Sequence, residues 1–151
     1  MTRHVLLDSS PMSALCQPST GAEVAAITQW SRACLAAGHR IYIPEVIDYE
    51  LRRELLRAGK TASIARLDAL KAVFRYLPLT TAAMLVAADL WAQSRSSGLP
   101  TGDPKKLDID VILAGQALTI DVEMADIIVA TLNVSHLSRF VPANLWSNIT
   151  P

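Results

Sequence analysis

Cysteine is scarce in this chain and long apolar runs are missing. Only Cys16 and Cys34 occur among 151 residues, without C-x-x-C spacing, which removes a zinc or dithiol redox motif. Both are expected to pack as buried, reduced thiols. No apolar stretch, VILAGQALTI included, approaches the ~20 residues needed to span a bilayer, so no membrane helix is expected. Only Val5 to Leu7 precede Asp8, too few for the apolar core of a secretory signal, and a cytoplasmic location follows as the expectation. There is no internal repeat and no low-complexity tract. Neither G-x-x-x-x-G-K-[ST] nor G-x-S-x-G occurs, leaving a P-loop nucleotide site and a hydrolase elbow unsupported. The formal net charge is zero, so composition alone does not point to a polyanionic partner.

What is present is a strongly apolar chain, 51% hydrophobic and 19% charged, which excludes disorder and suits one compact domain over residues 1–151. HVLLDSSPMSAL reads as a short buried strand that runs into a helix, with Ser10 before Pro11 offering a favoured helix start. A helix from Glu23 stops at Gly38, and a strand follows at 41–43. Pro44 and Glu45 open a helix that Gly59 ends. Another helix is expected from Ser63, a possible third strand at 76–80, and a long helix ending near Gly98. LPTGDPKK reads as a loop, with Asp103 and Pro104 starting the next helix. The last strong strand is expected at 126–132. Short apolar strands alternating with helices predict an α/β fold, a three-layer sandwich around a central parallel sheet of four or five strands.

In such sheets ligands bind beyond the carboxyl ends of the strands. Asp8 stands there, directly after the first strand. Glu50 lies on the semi-apolar face of its helix, projecting about 40° from Val46. Asp110 precedes an almost wholly apolar helical stretch. A carboxylate at an apolar position is costly unless it is paired or binds a metal. Asp48 and Glu45, near the start of their helix, are explained by the helix dipole, and Asp108 by solvent. Glu54 can pair with Arg57 or Arg53. Asn133, after the last strand, falls on the same edge as Asp8. Carboxylates gathered at one edge call for a hard divalent cation, Mg²⁺ or Mn²⁺, which can activate water for attack on a phosphodiester. Seven of the 14 basic residues lie between Arg52 and Arg75, beginning on the helix that carries Glu50, and Arg52, Arg53 and Arg57 are candidate phosphate contacts.

Asp8 after an apolar strand, Glu50 in YELRR, Asp110 in DVILAGQAL, and the closing IVATLNVSHLSRF together resemble the PIN domain, in particular the toxin ribonucleases of VapBC-type toxin–antitoxin pairs. The resemblance spans nearly the whole chain in the right order. It implies a PIN-like fold, and catalytic, metal-binding carboxylates at Asp8, Glu50 and Asp110. Asn133 stands in the region of the family's fourth, often acidic, position, which leaves three carboxylates. Ser9 fits the small hydroxyl residue that commonly follows the first Asp. The activity implied is Mg²⁺-dependent RNA cleavage by a homodimer, held in check by a cognate antitoxin protein. The alternative is a silent domain that binds RNA or protein with the same fold.

Other phosphate enzymes that begin with a strand-end Asp fit less well. A haloacid-dehalogenase site needs a second Asp where Ser10 stands, and a receiver domain needs an early acidic pair and a late Lys. His4 and His39 are expected at solvated boundaries, and His136 at the surface. Trp30, Trp91 and Trp146 are expected to pack in the core or a dimer contact.

Overall fold

The computed structural model describes residues 1–98 and 104–151. Its centre is a five-stranded parallel sheet in the order β3-β2-β1-β4-β5, flanked by helices in a three-layer α/β/α arrangement. The strands are β1 (His4–Leu7), β2 (Arg40–Pro44), β3 (Arg75–Leu77), β4 (Ile127–Ala130) and β5 (Ala143–Asn144). The helices are α1 (Ser9–Cys16), α2 (Ala22–Ala36), α3 (Glu45–Arg57), α4 (Thr61–Leu70), α5 (Thr81–Ser96), α6 (Pro104–Leu118) and α7 (Val134–Leu137).

Strand β1 is buried along its whole length, as a central parallel strand covered on both faces must be. It pairs with β2 on one side, Val5 opposite Ile41, and with β4 on the other, Val5 opposite Ile128. The chain therefore winds outward from β1 through β2 to β3, then returns across to β4 and β5. The reversal beside β1 makes the carboxyl ends of β1 and β4 the switch point of the sheet, the place where open α/β sheets bind ligands. Asp8, the residue after β1, stands there.

Four expectations about the elements need correction. Strand β3 is Arg75–Leu77 rather than 76–80, since Pro78 has no N–H to continue a ladder. Helix α1 starts at Ser9 with Asp8 itself as N-cap, so Pro11 is the third helical residue rather than the first. A proline is tolerated there because the first four helical N–H groups lack intrahelical partners anyway. Helix α4 begins two residues before Ser63 and ends at Leu70; residues 71–73 form a turn before β3. Strand β4 spans Ile127–Ala130 only, because Met124–Asp126 form a short 3-10 turn and Thr131 leaves the ladder. The two-residue β5 is too short to leave a pattern in the sequence. Asp103 and the rest of the 99–103 stretch lie outside the described residues.

The helix carrying Asp110 is set deep by two small features. Gly115 of α6 lies against the Ala83 backbone of α5, where a Cβ atom would collide with the Ala83 carbonyl. Gln116, buried in α6, accepts from the Val46 N–H at 3.2 Å and donates to the Leu77 carbonyl at 2.8 Å. Pro44 at the N-cap of α3 has no side chain to satisfy the first-turn donors, and Gln116 does this from across the sheet edge. One amide thus fixes α6 to the start of α3 and the end of β3.

Cys16 and Cys34 are buried free thiols, and burial pushes both up in pKa, Cys16 to about 12. His4 departs from expectation: it is buried, its Nδ1 2.8 Å from the Tyr42 hydroxyl, because it is the first residue of the central strand. Trp30 packs on Trp146 and donates to the Ile149 carbonyl, whereas Trp91 is exposed under Arg95. Among the described residues no helix is long and apolar enough to cross a membrane.

Candidate active site

Asp8 is the best-anchored of the candidate residues. Its N–H donates to the Ala130 carbonyl at 3.0 Å, extending the β1–β4 ladder by one bond. Its Oδ1 accepts from the Ser9 N–H at 2.7 Å, and its Oδ2 from the Thr131 hydroxyl at 2.7 Å. The Thr131 oxygen in turn accepts from the Asn133 N–H at 2.9 Å. Capping and positioning are thus combined: Asp8 closes the helix end, and two donors hold the carboxylate plane. Each oxygen accepts one bond and keeps a free lone pair.

Glu50 and Asp110 are left in a different condition. Glu50, in the second turn of α3, has a buried Oε1 with no hydrogen-bond partner; so has the Oδ1 of Asp110, a residue only 1% exposed. Buried polar atoms without partners are rare in native proteins and carry a desolvation cost of about 1–3 kcal/mol each. Burial pushes the Asp110 carboxyl up to about 6. Lys106 and His136 pull against that shift, while Asp8 and Glu50 add to it. The three carboxyl groups therefore act on one another's field, although they come from β1, α3 and α6.

A residue that sequence reasoning missed stands between two of them. Lys106, one turn before Asp110 on α6, places its Nζ 3.6 Å from Asp110 Oδ1 and 3.8 Å from Glu50 Oε2. Burial lowers its proton affinity, but Asp8, Asp110 and Glu50 outweigh this and hold the ammonium above the ordinary lysine range. The i, i+4 spacing to Asp110 was the available signal. Thr131 was also missed; it is the hydroxyl of ATLN that reaches Asp8, while the Asn133 side chain is exposed and caps nothing at the start of α7. His136 is half-buried on α7 and close enough to act on Asp110.

The remaining candidates divide by their partners. Ser9 lines a groove of about 390 Å³ with Ser10, Ser13, Glu50, Arg53 and Glu54. Arg53 is exposed, its guanidinium 5.1 Å from the Tyr49 ring centre, and Arg57 pairs with Glu54 at 2.8 Å on the surface. Arg52 is committed elsewhere: its Nε bonds Asp48 at 2.9 Å and an NH₂ group bonds Asp68 at 2.6 Å. Asp48, expected only as an acid favoured by the helix dipole, is itself buried and also holds Lys71 at 2.9 Å and the Tyr76 hydroxyl at 3.2 Å. Asp108 is exposed, as expected.

The donor chemistry of Asp8, Glu50 and Asp110 suits a hard cation: carboxylate oxygens, two of them buried and without a hydrogen bond. Among the described residues, no three His, Cys, Asp or Glu side chains are gathered closely enough to hold an ion as they stand. The Lys106 ammonium occupies the space between Glu50 and Asp110 instead.

No protein-family model matches the chain, and a search of curated proteins finds no relative. Solved structures do match. A chain of VapBC2 from Rickettsia felis, solved bound to a DNA fragment from their promoter, aligns at TM-score 0.69 and 14% identity over 95% of this chain and 98% of that one. FitAcB from Neisseria gonorrhoeae aligns at TM-score 0.69 and 18% identity over 96% and 99%. DNA-bound VapBC from Salmonella typhimurium aligns at 0.60 and 18% over 97% and 99%. At these identities the likeness is one of fold, and the fold is PIN-like over nearly the full length of both chains.

Proposed function

We propose that the chain is a Mg²⁺-dependent endoribonuclease of the VapC-like PIN type, the toxin of a pair whose second member is a small antitoxin protein. The observation that carries this reading is that Glu50 and Asp110 converge on one Lys106 ammonium, within the field of Asp8, each with a buried oxygen that has no hydrogen bond. A structural role does not explain them, since an apolar residue at either position would avoid the cost. The fold neighbours named as VapBC and FitAcB support both the toxin assignment and the antitoxin partner.

Asp8, Glu50 and Asp110 would hold the ion, Mg²⁺ or Mn²⁺ in its place. When bound, the ion supplies Lewis acidity toward a scissile phosphate and lowers the pKa of a water nucleophile. The chain's own residues supply position and charge. Thr131 and the Ser9 N–H keep the Asp8 carboxylate from rotating, and the Ser9 hydroxyl and Asn133 amide offer neutral contacts beside it. Arg53 and Arg57, exposed on the helix that carries Glu50, contact RNA phosphates; Arg52 contributes only indirectly, through α3 and α4. The exposed apolar side chains Met84, Leu85 and Trp91 of α5 offer a second copy a surface for a homodimer.

The test is cleavage of mixed RNAs with Mg²⁺ or Mn²⁺ by the wild type and by Asp8→Ala. Cleavage by the wild type alone is expected; equal cleavage by both, or none by either across varied RNAs, removes the nuclease reading. The alternative, a silent RNA- or protein-binding module, has Lys106 in its favour, because an ammonium already neutralises part of the acidic edge. An Mn²⁺ titration separates the two: the silent module shows no uptake that depends on Asp8.

A further inference from the structure

The position of Lys106 is unusual on three counts. It lies in the first turn of α6, where the helix dipole disfavours a cation, and that turn contains no acidic residue. Its Nζ is 3.6 Å and 3.8 Å from the two carboxylates, longer than the 2.7–3.2 Å of a direct hydrogen bond, so it bridges them without closing on either. Its side chain keeps 27% exposure on a flexible four-carbon stem, so the ammonium has a route out to water.

On the proposed reading of Asp8, Glu50 and Asp110 as metal ligands, we infer that Lys106 is a built-in counter-ion that occupies the cation position in the metal-free protein and is displaced when a divalent ion enters. The two cations compete for the same carboxylates: Glu50 and Asp110 would help to hold the divalent ion, and an ammonium that stayed between them would meet it with direct charge repulsion. The ammonium faces Asp110 Oδ1 and Glu50 Oε2 at ion-pair distance without hydrogen-bonding either, and Glu50 Oε1, also buried, is left with no partner at all. Lys106 thereby acts as a positioning residue: it keeps the carboxylates from splaying apart without metal, and lowers apparent metal affinity by the fraction of time it stays in place. Once displaced, it is free on the rim of the site.

The experiment compares Mn²⁺ binding by calorimetry, in mildly alkaline buffer, for the wild type, Lys106→Met and Asp8→Asn. Lys106→Met keeps the stem and removes the charge. If the in-place state holds about nine-tenths of the population, this variant binds Mn²⁺ about tenfold more tightly than the wild type. In EDTA it melts lower, and its melting temperature rises more on addition of Mn²⁺. Wild-type binding with equal or weaker binding by Lys106→Met overturns the counter-ion role and leaves the metal reading standing. Uptake by Lys106→Met alone supports the role in its strongest form, and uptake by neither removes both readings. Should the variant fail to fold, the wild type answers directly. Reductive methylation of Lys106, followed by mass spectrometry, is expected to accelerate in saturating Mn²⁺ relative to EDTA; an unchanged or slower rate overturns the displacement.

Discussion

Helix α3 carries two inward-facing acids, Asp48 and Glu50, two residues apart and so on different faces, and the chain treats them in opposite ways. Asp48 is fully served: Arg52 and Lys71 pair with its two oxygens, and Tyr76 adds a hydrogen bond. Burial pushes its carboxyl up, but the hydrogen bonds from Lys71 and Arg52 together outweigh this and hold it below the ordinary value. Glu50 has one oxygen with no partner and the other 3.8 Å from a lysine. A buried acid with satisfied oxygens stabilises the packing of α3 against α4 and β3. A half-buried acid with a buried, spare oxygen costs stability instead. Burial alone therefore does not separate the two acids; the completeness of their partners does.

The largest expected effect sharpens that contrast. Asp110→Asn should lower RNA cleavage by about 10³-fold, in the range of other single catalytic-residue losses, while its midpoint of urea unfolding in EDTA is unchanged or raised. Cleavage within tenfold of wild type would move Asp110 to the structural side. Asp48→Ala should behave inversely. Leaving Arg52 and Lys71 without their buried partner costs about 3 kcal/mol in urea unfolding, with Mn²⁺ affinity unchanged in the folded fraction. A cost below about 1 kcal/mol, the value of a surface pair, would break the comparison.

Gln116→Leu comes next, since it strands the Val46 N–H and the Leu77 carbonyl. The expected loss is about 2 kcal/mol of stability, read in the same denaturation series. Thr131→Val is the milder variant: it removes one donor from Asp8 at nearly constant volume. Mn²⁺ affinity should fall about tenfold, as for other residues that orient a ligand, and an unchanged affinity would show that the Ser9 N–H suffices.

A further effect is a slope with pH. The folded Asp110 carboxyl titrates near 6 against an ordinary value of 3.8. Between those values the unfolded chain has released a proton that the folded chain retains, so the stability from Asp110 is greatest below 3.8 and is lost as pH rises to about 6. Asp48 has the opposite sign: its lowered pKa contributes stability above 3.8 that is lost as pH falls through its folded value. In metal-free buffer, Asp110→Asn should flatten the decline between these pH values. An unaltered slope would assign the decline to another group.

Much of this arrangement was legible in the sequence because it rests on local patterns. Val5 to Leu7 ending in Asp8 marked the central strand and where it stops, and the apolar run after Asp110 marked a buried acid. Gly38 and Gly59, at φ +89° and +67°, end their helices as expected. What was not legible depends on long-range partners. Asp48 read only as an acid favoured by the helix dipole because Lys71 and Tyr76 reach it from other elements. Thr131 was passed over for Asn133 because one-residue placement at the end of a strand decides which side chain turns toward β1. Lys106 is the last residue of LPTGDPKK, which reads as a loop, and nothing local showed that its charge would face Glu50.

The hydrogen bond between Thr131 and Asp8 joins residues 123 positions apart. During synthesis, the amino-terminal acid of the site is made long before the strand that orients it leaves the ribosome. If the proposed activity holds, a truncated or stalled chain carries Asp8, Glu50 and even Asp110 without the β4 neighbour that positions the first of them. Synthesis through β4 is then a condition for setting the Asp8 carboxylate, whatever the earlier elements have already formed.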